Sequence, residues 1–170
     1  MEYSENIIRD IVIKIIYDRL GAKASFQGQG ETARFTIEND FVLAKCAAEQ
    51  SLDYDLPNGY SLSHKSDILI TIVRKNHARD KSYVSIEIKH KSAVTDQFKT
   101  RTFDMLHLKQ SYGPQIYGIM LFVRAGKGIS LMQAKKICYP FDKFIGIDYS
   151  EVEKPSAWNE LIAAISGVLV

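Results

Sequence analysis

The sequence has 170 residues, of which 46% are hydrophobic and 25% charged, so it can build a hydrophobic core and falls outside the disordered and fibrous classes. Its formal net charge of +2 does not by itself indicate a polyanionic partner. We expect one domain over residues 1–170, because this length is typical of a single compact unit.

Neither a signal peptide nor a membrane-spanning helix is expected. Charged residues interrupt the isoleucine-rich N-terminal stretch, and no run of about eighteen apolar residues occurs anywhere. The two cysteines, Cys46 and Cys138, lack CxxC spacing, which argues against a zinc site. We expect both to be buried thiols in a reducing compartment, and therefore a cytoplasmic protein without a membrane partner.

Two helices are predicted in the first fifty residues. Between residues 4 and 19, isoleucines recur at helical spacing behind Ser4, a candidate N-cap. A second helical pattern spans residues 32–50, and residues 53–59 contain a Pro-Asn-Gly turn signal. The apolar side of the second pattern carries Phe35, Val42 and Cys46.

Strands and helices alternate in the rest of the chain. Residues 67–73 form a β-branched apolar run that predicts a buried strand, and residues 83–89 alternate strictly and predict another, with a polar loop at 74–82 between them. The remaining predicted elements are a helix at 95–111, a strand at 116–123, a short helix at 130–137, a strand at 143–149 and a helix opening at Pro155 or Ser156. This order predicts an α/β sandwich with helices on both faces of a central sheet.

Basic residues are concentrated in the middle of the chain. Between residues 64 and 109 there are ten Lys or Arg against five acids, so this segment is +5 and the remainder −3. A local positive field around a few acids suits a phosphate backbone that approaches a metal site. Ordinary charge scatter on a solvated face is the alternative.

Three polar residues of the two predicted strands carry the functional hypothesis. Glu87 and Lys89 are two apart in a strand, so they project from the same face. If the connector turns near residues 77–78, antiparallel pairing sets Asp67 opposite Glu87. Two adjacent carboxylates repel unless a cation lies between them, and oxygen ligands favour Mg²⁺ or Mn²⁺. A lysine beside such a cation can orient the attacking water in phosphodiester hydrolysis.

The motif Ser66-Asp67 followed by Glu87-Ile88-Lys89 resembles the PD-(D/E)XK signature of restriction-endonuclease-like nucleases, with serine in place of proline. The resemblance covers about residues 30–123 in element order. It implies a three-layer α/β/α sandwich with a central mixed β-sheet and an αβββαβ core. It also implies a metal-dependent endonuclease, with DNA favoured over RNA, and the backbone carbonyl of Ile88 as an extra ligand for Mg²⁺.

The resemblance implies further residues around this motif. An acid on the helix before the hairpin often supports the metal site, and Glu38 is our choice, with Glu31 and Asp40 as competitors and a solvent-facing glutamate as the alternative. Lys91, Lys99 and Arg101 are candidates for gripping the DNA backbone, although each alone could be a solvated side chain. Because many relatives act as dimers, a homodimer is a hypothesis.

Other functions remain open at this stage. The fold could be kept as a nucleic-acid-binding or assembly module without turnover, and Glu87 and Lys89 could be an ordinary surface pair. Gly28 and Gly30 match a loose GxGxxA pattern of dinucleotide-binding proteins. The four histidines show no HxH or HxxxH spacing, so we predict no zinc or iron site.

Overall fold

A computed structural model describes residues 3–21, 27–91, 93–126 and 128–170. Its centre is a six-stranded mixed sheet in which the strands are neighbours in sequence order. The first four strands run antiparallel, and the last two join β4 in parallel. The strands are β1 (Arg34–Glu38), β2 (Val42–Asp55), β3 (Ser61–Arg74), β4 (His77–Lys91), β5 (Ile116–Arg124) and β6 (Lys143–Asp148).

Four α-helices lie within the described residues: α1 (Glu5–Leu20), α2 (Thr95–Tyr112), α3 (Leu131–Ile137) and α4 (Asn159–Leu169). All four match predicted helices, and α4 follows a 3₁₀ turn that begins at Pro155. The N-cap prediction is confirmed, because the Ser4 hydroxyl accepts a hydrogen bond from the Ile7 N–H. Within the described ranges, no helix is long and apolar enough to cross a membrane.

The predicted helix over residues 32–50 is wrong, since this segment forms the β1–β2 hairpin. Phe35 and Val42 are spaced by two helical turns, which produced the helical pattern. Their neighbours nevertheless alternate between buried and exposed positions along each strand. The Asn39 side chain accepts hydrogen bonds from the backbone N–H groups of Phe41 and Val42, and the chain reverses at this turn. The strand period of two therefore decides this segment.

The polar loop predicted at residues 74–82 is also wrong, because β4 already begins at His77. Its first residues are exposed but still pair with β3, so their polarity marks a solvated end of a strand. The predicted register is confirmed from the Ile68–Ile86 pair to the Val73–Lys81 pair.

Buried residues form two hydrophobic clusters on opposite faces of the sheet. One contains residues of α1 and α4 with Ile70 and Ile86, and the other contains residues of α2 and α3 with Leu69 and Phe122. Because Leu69 and Ile70 are consecutive in β3, their side chains point to opposite faces. Cys46 and Cys138 are buried free thiols, as predicted.

A glycine makes room for a side chain of α2 on the sheet. A Cβ at Gly118 of β5 would lie 2.6 Å from the Met105 sulfur of α2. The end of the Met105 side chain therefore packs directly on the backbone of β5.

The glycine-rich stretch does not have the geometry of a dinucleotide site. Gly28 and Gly30 have positive φ values of 77° and 56°. They lead into a short 3₁₀ turn at Gly30–Thr32 and then into β1. The helix N-terminus that would hold a pyrophosphate is therefore missing after these glycines.

Candidate active site

The candidate site lies where the β3–β4 ladder ends. The last backbone pair is Ile68–Ile86, and beyond it the Asp67 carboxylate accepts a hydrogen bond of 2.7 Å from the Ile88 N–H. A side chain therefore takes the place of a backbone partner at this point. This contact brings Asp67 against the peptide that joins Glu87 to Lys89.

Glu87 is 1% exposed, and its two carboxylate oxygens have different surroundings. Oε1 lies 2.5 Å from His64 Nε2 and 3.4 Å from the Ser85 hydroxyl. Oε2 is buried and has no hydrogen-bond partner in the described part of the chain, and the Arg101 guanidinium is 3.6 Å from it. One oxygen of Glu87 is thus held in place while the other has unused acceptor capacity.

His64 joins Glu87 to helix α2. Its Nδ1 lies 3.0 Å from the Asp104 carboxylate, which also accepts a hydrogen bond of 3.2 Å from the Tyr54 hydroxyl. Burial lowers the pKa of His64, but its hydrogen bonds to Asp104 and Glu87 outweigh burial and raise that pKa to about 9. The imidazole is therefore protonated at neutral pH, and both of its nitrogens donate hydrogen bonds.

Asp67 has an unfavourable environment for its charged form. Burial raises the pKa of Asp67 to about 7, with a further contribution from the negative charge of Glu87. The Ile88 N–H and the Arg101 charge oppose this increase but do not cancel it. A positive charge placed next to both carboxylates would stabilise the ionised form. We call His64, Asp67, Glu87, Arg101 and Asp104 the buried charge cluster.

Lys89 and Glu5 lie at the edge of this cluster. The Lys89 amine is 3.7 Å from Glu5 of α1, and the other oxygen of Glu5 is 3.3 Å from His90 Nδ1. The charge of Glu5 also acts on Asp67, which places the α1 N-terminus near the cluster. A cleft of about 230 Å³ opens here. Its lining residues are Glu5, Lys89, His90, Lys91, Ala93 and Gln97.

Glu38 is not brought to the site. It ends β1 as an exposed side chain, 3.0 Å from the Lys75 amine, and not in the middle of a helix. Through Leu43 of β2 it aligns with Val73 of β3, six residues from Asp67, which is roughly 20 Å along the strand. The competitors Glu31 and Asp40 are exposed in turns outside the strands.

The acid that does approach the cluster is Glu5, which the sequence analysis missed. Acidic residues in the first turn of a helix are common because they interact favourably with its N-terminus, so Glu5 gave no distinct signal. His64 and Asp104 were missed as well. They are forty positions apart on a strand and a helix, and no local spacing connects them.

The three residues predicted to grip DNA differ in placement. Lys99 is exposed on α2, and Lys91 ends β4 with a positive φ of 56°. Arg101 instead turns towards Glu87 and belongs to the buried charge cluster.

The chemistry of the donor set suits a divalent cation held by few side chains. Within the described parts of the chain, no group of three or more His, Cys, Asp and Glu is arranged to hold a metal ion. Two carboxylates repel each other here: Glu87 has a buried oxygen without a hydrogen-bond partner among the described residues, and Asp67 has a raised pKa. A hard cation would satisfy both features at once.

Comparisons with known proteins leave the family open. No family model matches the sequence, and no curated protein matches it. A structure of EndoMS in apo form is similar at 10% sequence identity, over 81% of this chain and 94% of that chain, with a TM-score of 0.29. A likeness this low carries no argument about fold or activity, so the case for a function depends on the site itself.

Proposed function

We propose that this protein is a Mg²⁺-dependent endonuclease of the PD-(D/E)XK type that hydrolyses phosphodiester bonds in DNA. The observation that carries the proposal is the hydrogen bond from the Ile88 N–H to Asp67, beside a buried Glu87 with one unpartnered oxygen. The proposal includes an αβββαβ core in a three-layer sandwich, which the two hydrophobic clusters on opposite faces of the sheet support.

In this proposal Asp67, Glu87 and the Ile88 carbonyl would hold Mg²⁺, and Mn²⁺ could replace it. When bound, the ion would lower the pKa of a water molecule and neutralise charge on the phosphate. Lys89 would orient the attacking water with its amine. Glu5 would act as a positioning residue for Lys89, in the supporting role first assigned to Glu38.

His64 would serve as a positioning residue for Glu87. Its contact with Oε1 fixes the carboxylate plane, so that Oε2 keeps one direction. Asp104 holds the other side of the imidazole and prevents it from rotating. A carboxylate fixed in this way loses little conformational entropy when it binds a cation.

A cleavage assay tests the proposal directly. Plasmid and single-stranded DNA are incubated with the protein and Mg²⁺ or Mn²⁺, and cutting is followed on gels. Asp67→Ala and Lys89→Ala should each reduce the rate by at least about 100-fold, since the first would remove a ligand of the cation and the second the amine that orients the attacking water. Lys14→Ala is the control, because Lys14 is exposed on α1 and pairs only with a neighbouring turn of its own helix. A wild-type protein that does not cut, or an Asp67→Ala variant that cuts at the wild-type rate, contradicts the proposal.

A second candidate function is a nucleic-acid-binding or assembly module without turnover. The observation that favours it is that two cations of the protein itself, His64 and Arg101, already face Glu87. These charges could replace a metal and stabilise the fold alone. Calorimetric titration with Mn²⁺ separates the two candidates. Binding that is lost in Asp67→Ala supports the enzyme, and absence of binding by the wild type supports the module.

A further inference from the structure

One face of the sheet is open at β1 and at the beginning of β2. On one side of these strands, Phe35 and Val42 are buried in the cluster that contains α1. On the other side, Arg34, Thr36 and Lys45 are exposed. Because side chains alternate along a strand, these exposed residues share a single face.

The register joins these residues into one surface. Thr36 pairs with Lys45, and Lys45 pairs with the half-exposed Thr71 of β3. Adjacent strands are about 4.8 Å apart and same-face residues about 6.6 Å apart, so the Cα atoms of Arg34 and Lys45 lie roughly 8 Å from each other. Lys81 of β4 projects on the same side through its pairing with Val73. We call Arg34, Thr36, Lys45, Thr71 and Lys81 the open basic face.

The positive charges of this face are not compensated. Among the described residues, Arg34, Lys45 and Lys81 have no ion pair, whereas the one acid that projects beside them, Glu38, is paired with Lys75. A cleft of about 250 Å³ lies at the sheet edge and is lined by polar groups and one phenylalanine. Its lining residues are Gln27, Arg34, Phe35, Thr36 and Lys45.

The open basic face lies on the same side of the sheet as Glu87. Thr71 of the face pairs with Tyr83 of β4. Glu87 lies four residues after Tyr83 in the same strand, so the two side chains project from the same face. A ligand bound along the face is therefore on the side of the sheet that carries the candidate site.

We propose that the open basic face binds the sugar–phosphate backbone of DNA, an inference that deepens the proposed function and rests on it for the identity of the polymer. Arginine and lysine neutralise phosphates, and threonine hydroxyls donate hydrogen bonds to phosphate oxygens. Apart from the exposed Leu43, the surface is polar, and its described residues include no exposed aromatic side chain, so it suits a backbone contact better than base stacking.

Fluorescence anisotropy with a labelled DNA duplex in EDTA tests this inference. The variant Arg34→Ala/Lys45→Ala removes two charges from the face, and Lys135→Ala/Lys136→Ala removes two exposed charges from α3 as the matched control. The first variant should bind roughly 10-fold more weakly at about 0.1 M salt, with the slope of log K against log salt reduced by about 1.8. The control should change affinity less than about 2-fold.

Several results would overturn the inference. These are equal losses in both double variants, wild-type affinity in Arg34→Ala/Lys45→Ala, and no DNA binding by the wild type. Stronger competition by poly-glutamate than by DNA would assign the face to an acidic protein. A wild-type dimer that Arg34→Ala/Lys45→Ala dissociates in sedimentation would assign it to a subunit contact.

The assay separates this inference from the proposed function, because EDTA removes the metal and no cleavage is needed. If DNA binding depends on Arg34 and Lys45 but no cleavage occurs in Mn²⁺, the proposed nuclease activity is contradicted and the DNA-binding face is supported. If cleavage depends on Asp67 but Arg34→Ala/Lys45→Ala binds DNA as the wild type does, the nuclease activity is supported and the DNA-binding face is contradicted.

Discussion

The buried charge cluster and the open basic face are both charged, but their charges are compensated in different ways. In the cluster, His64 lies between Glu87 and Asp104; His64 and Glu87 are buried, and Asp104 is partly buried. On the face, Arg34 and Lys45 point into solvent. Loss of the His64 charge leaves two carboxylates without their shared cation, whereas water replaces any lost partner on the face. The cluster should therefore control stability, and the face should control binding alone.

The largest change in stability is expected for His64→Ala, in the buried charge cluster. The substitution leaves Glu87 and Asp104 facing each other without the cation between them. We expect the free energy of unfolding to fall by about 3–5 kcal/mol, measured by urea denaturation at pH 7. Lys143→Ala removes an exposed pair with Glu160 and serves as the control, with a loss below about 1 kcal/mol. Equal losses in the two variants would erase the distinction between cluster and surface.

The pH dependence of stability in EDTA is the next largest effect. Folding raises the pKa of Asp67 from 3.8 to about 7, so the unfolded state loses this proton first and stability falls as pH rises across that range. The raised pKa of His64 stabilises the fold below pH 6.5, and this contribution is lost as pH rises through about 9. Both effects predict a protein that is less stable at pH 9 than at pH 5.

Asp67→Asn isolates the first of these effects. The amide oxygen can still accept the Ile88 N–H but carries no charge. Above pH 7 we expect this variant to be about 2–4 kcal/mol more stable than the wild type in EDTA, measured by urea denaturation. A variant that is less stable than the wild type at pH 8 would contradict the environment inferred for Asp67.

The smallest effect is expected on the open basic face. Arg34→Ala/Lys45→Ala should change the free energy of unfolding by less than about 0.5 kcal/mol per site, because both side chains are exposed and neither forms an ion pair with a described residue. Thermal unfolding followed by circular dichroism measures this. A large loss of stability would show that these residues support the fold, and weaker DNA binding by the variant would then be explained by unfolding.

The centre of the β3–β4 hairpin was predictable because its residues carry the strand signal. The β-branched run at residues 67–73 and the alternation at 83–89 identified the two strands, and their register followed from a predicted loop centred near residues 77–78, although the polar residues 77–82 of β4 were assigned to that loop. The β1–β2 hairpin was not predictable in the same way. Its apolar residues fit helical and strand periods, and pairing with β3 decides between them.

The contacts of the candidate site also differ in how far they could be predicted from the sequence. Asp67 and Ile88 meet because they belong to one hairpin, and local register arithmetic suffices to bring them together. His64 and Asp104 meet only because α2 packs over the sheet, so their contact depends on tertiary structure. Glu5 likewise reaches Lys89 only because α1 packs near the end of β4, 84 residues later in the sequence. Residues that support a site through long-range contacts leave no spacing in the sequence.

The bare position at Gly118 gives α2 a further property. Met105, which fills the space above that glycine, directly follows Asp104 and lies one helical turn after Arg101. A methyl group added to the sheet at this point would meet the sulfur and terminal methyl of Met105, so that side chain would have to take another rotamer. The missing side chain at Gly118 thus reserves room for a thioether directly beside the helical turn that carries the two charged residues.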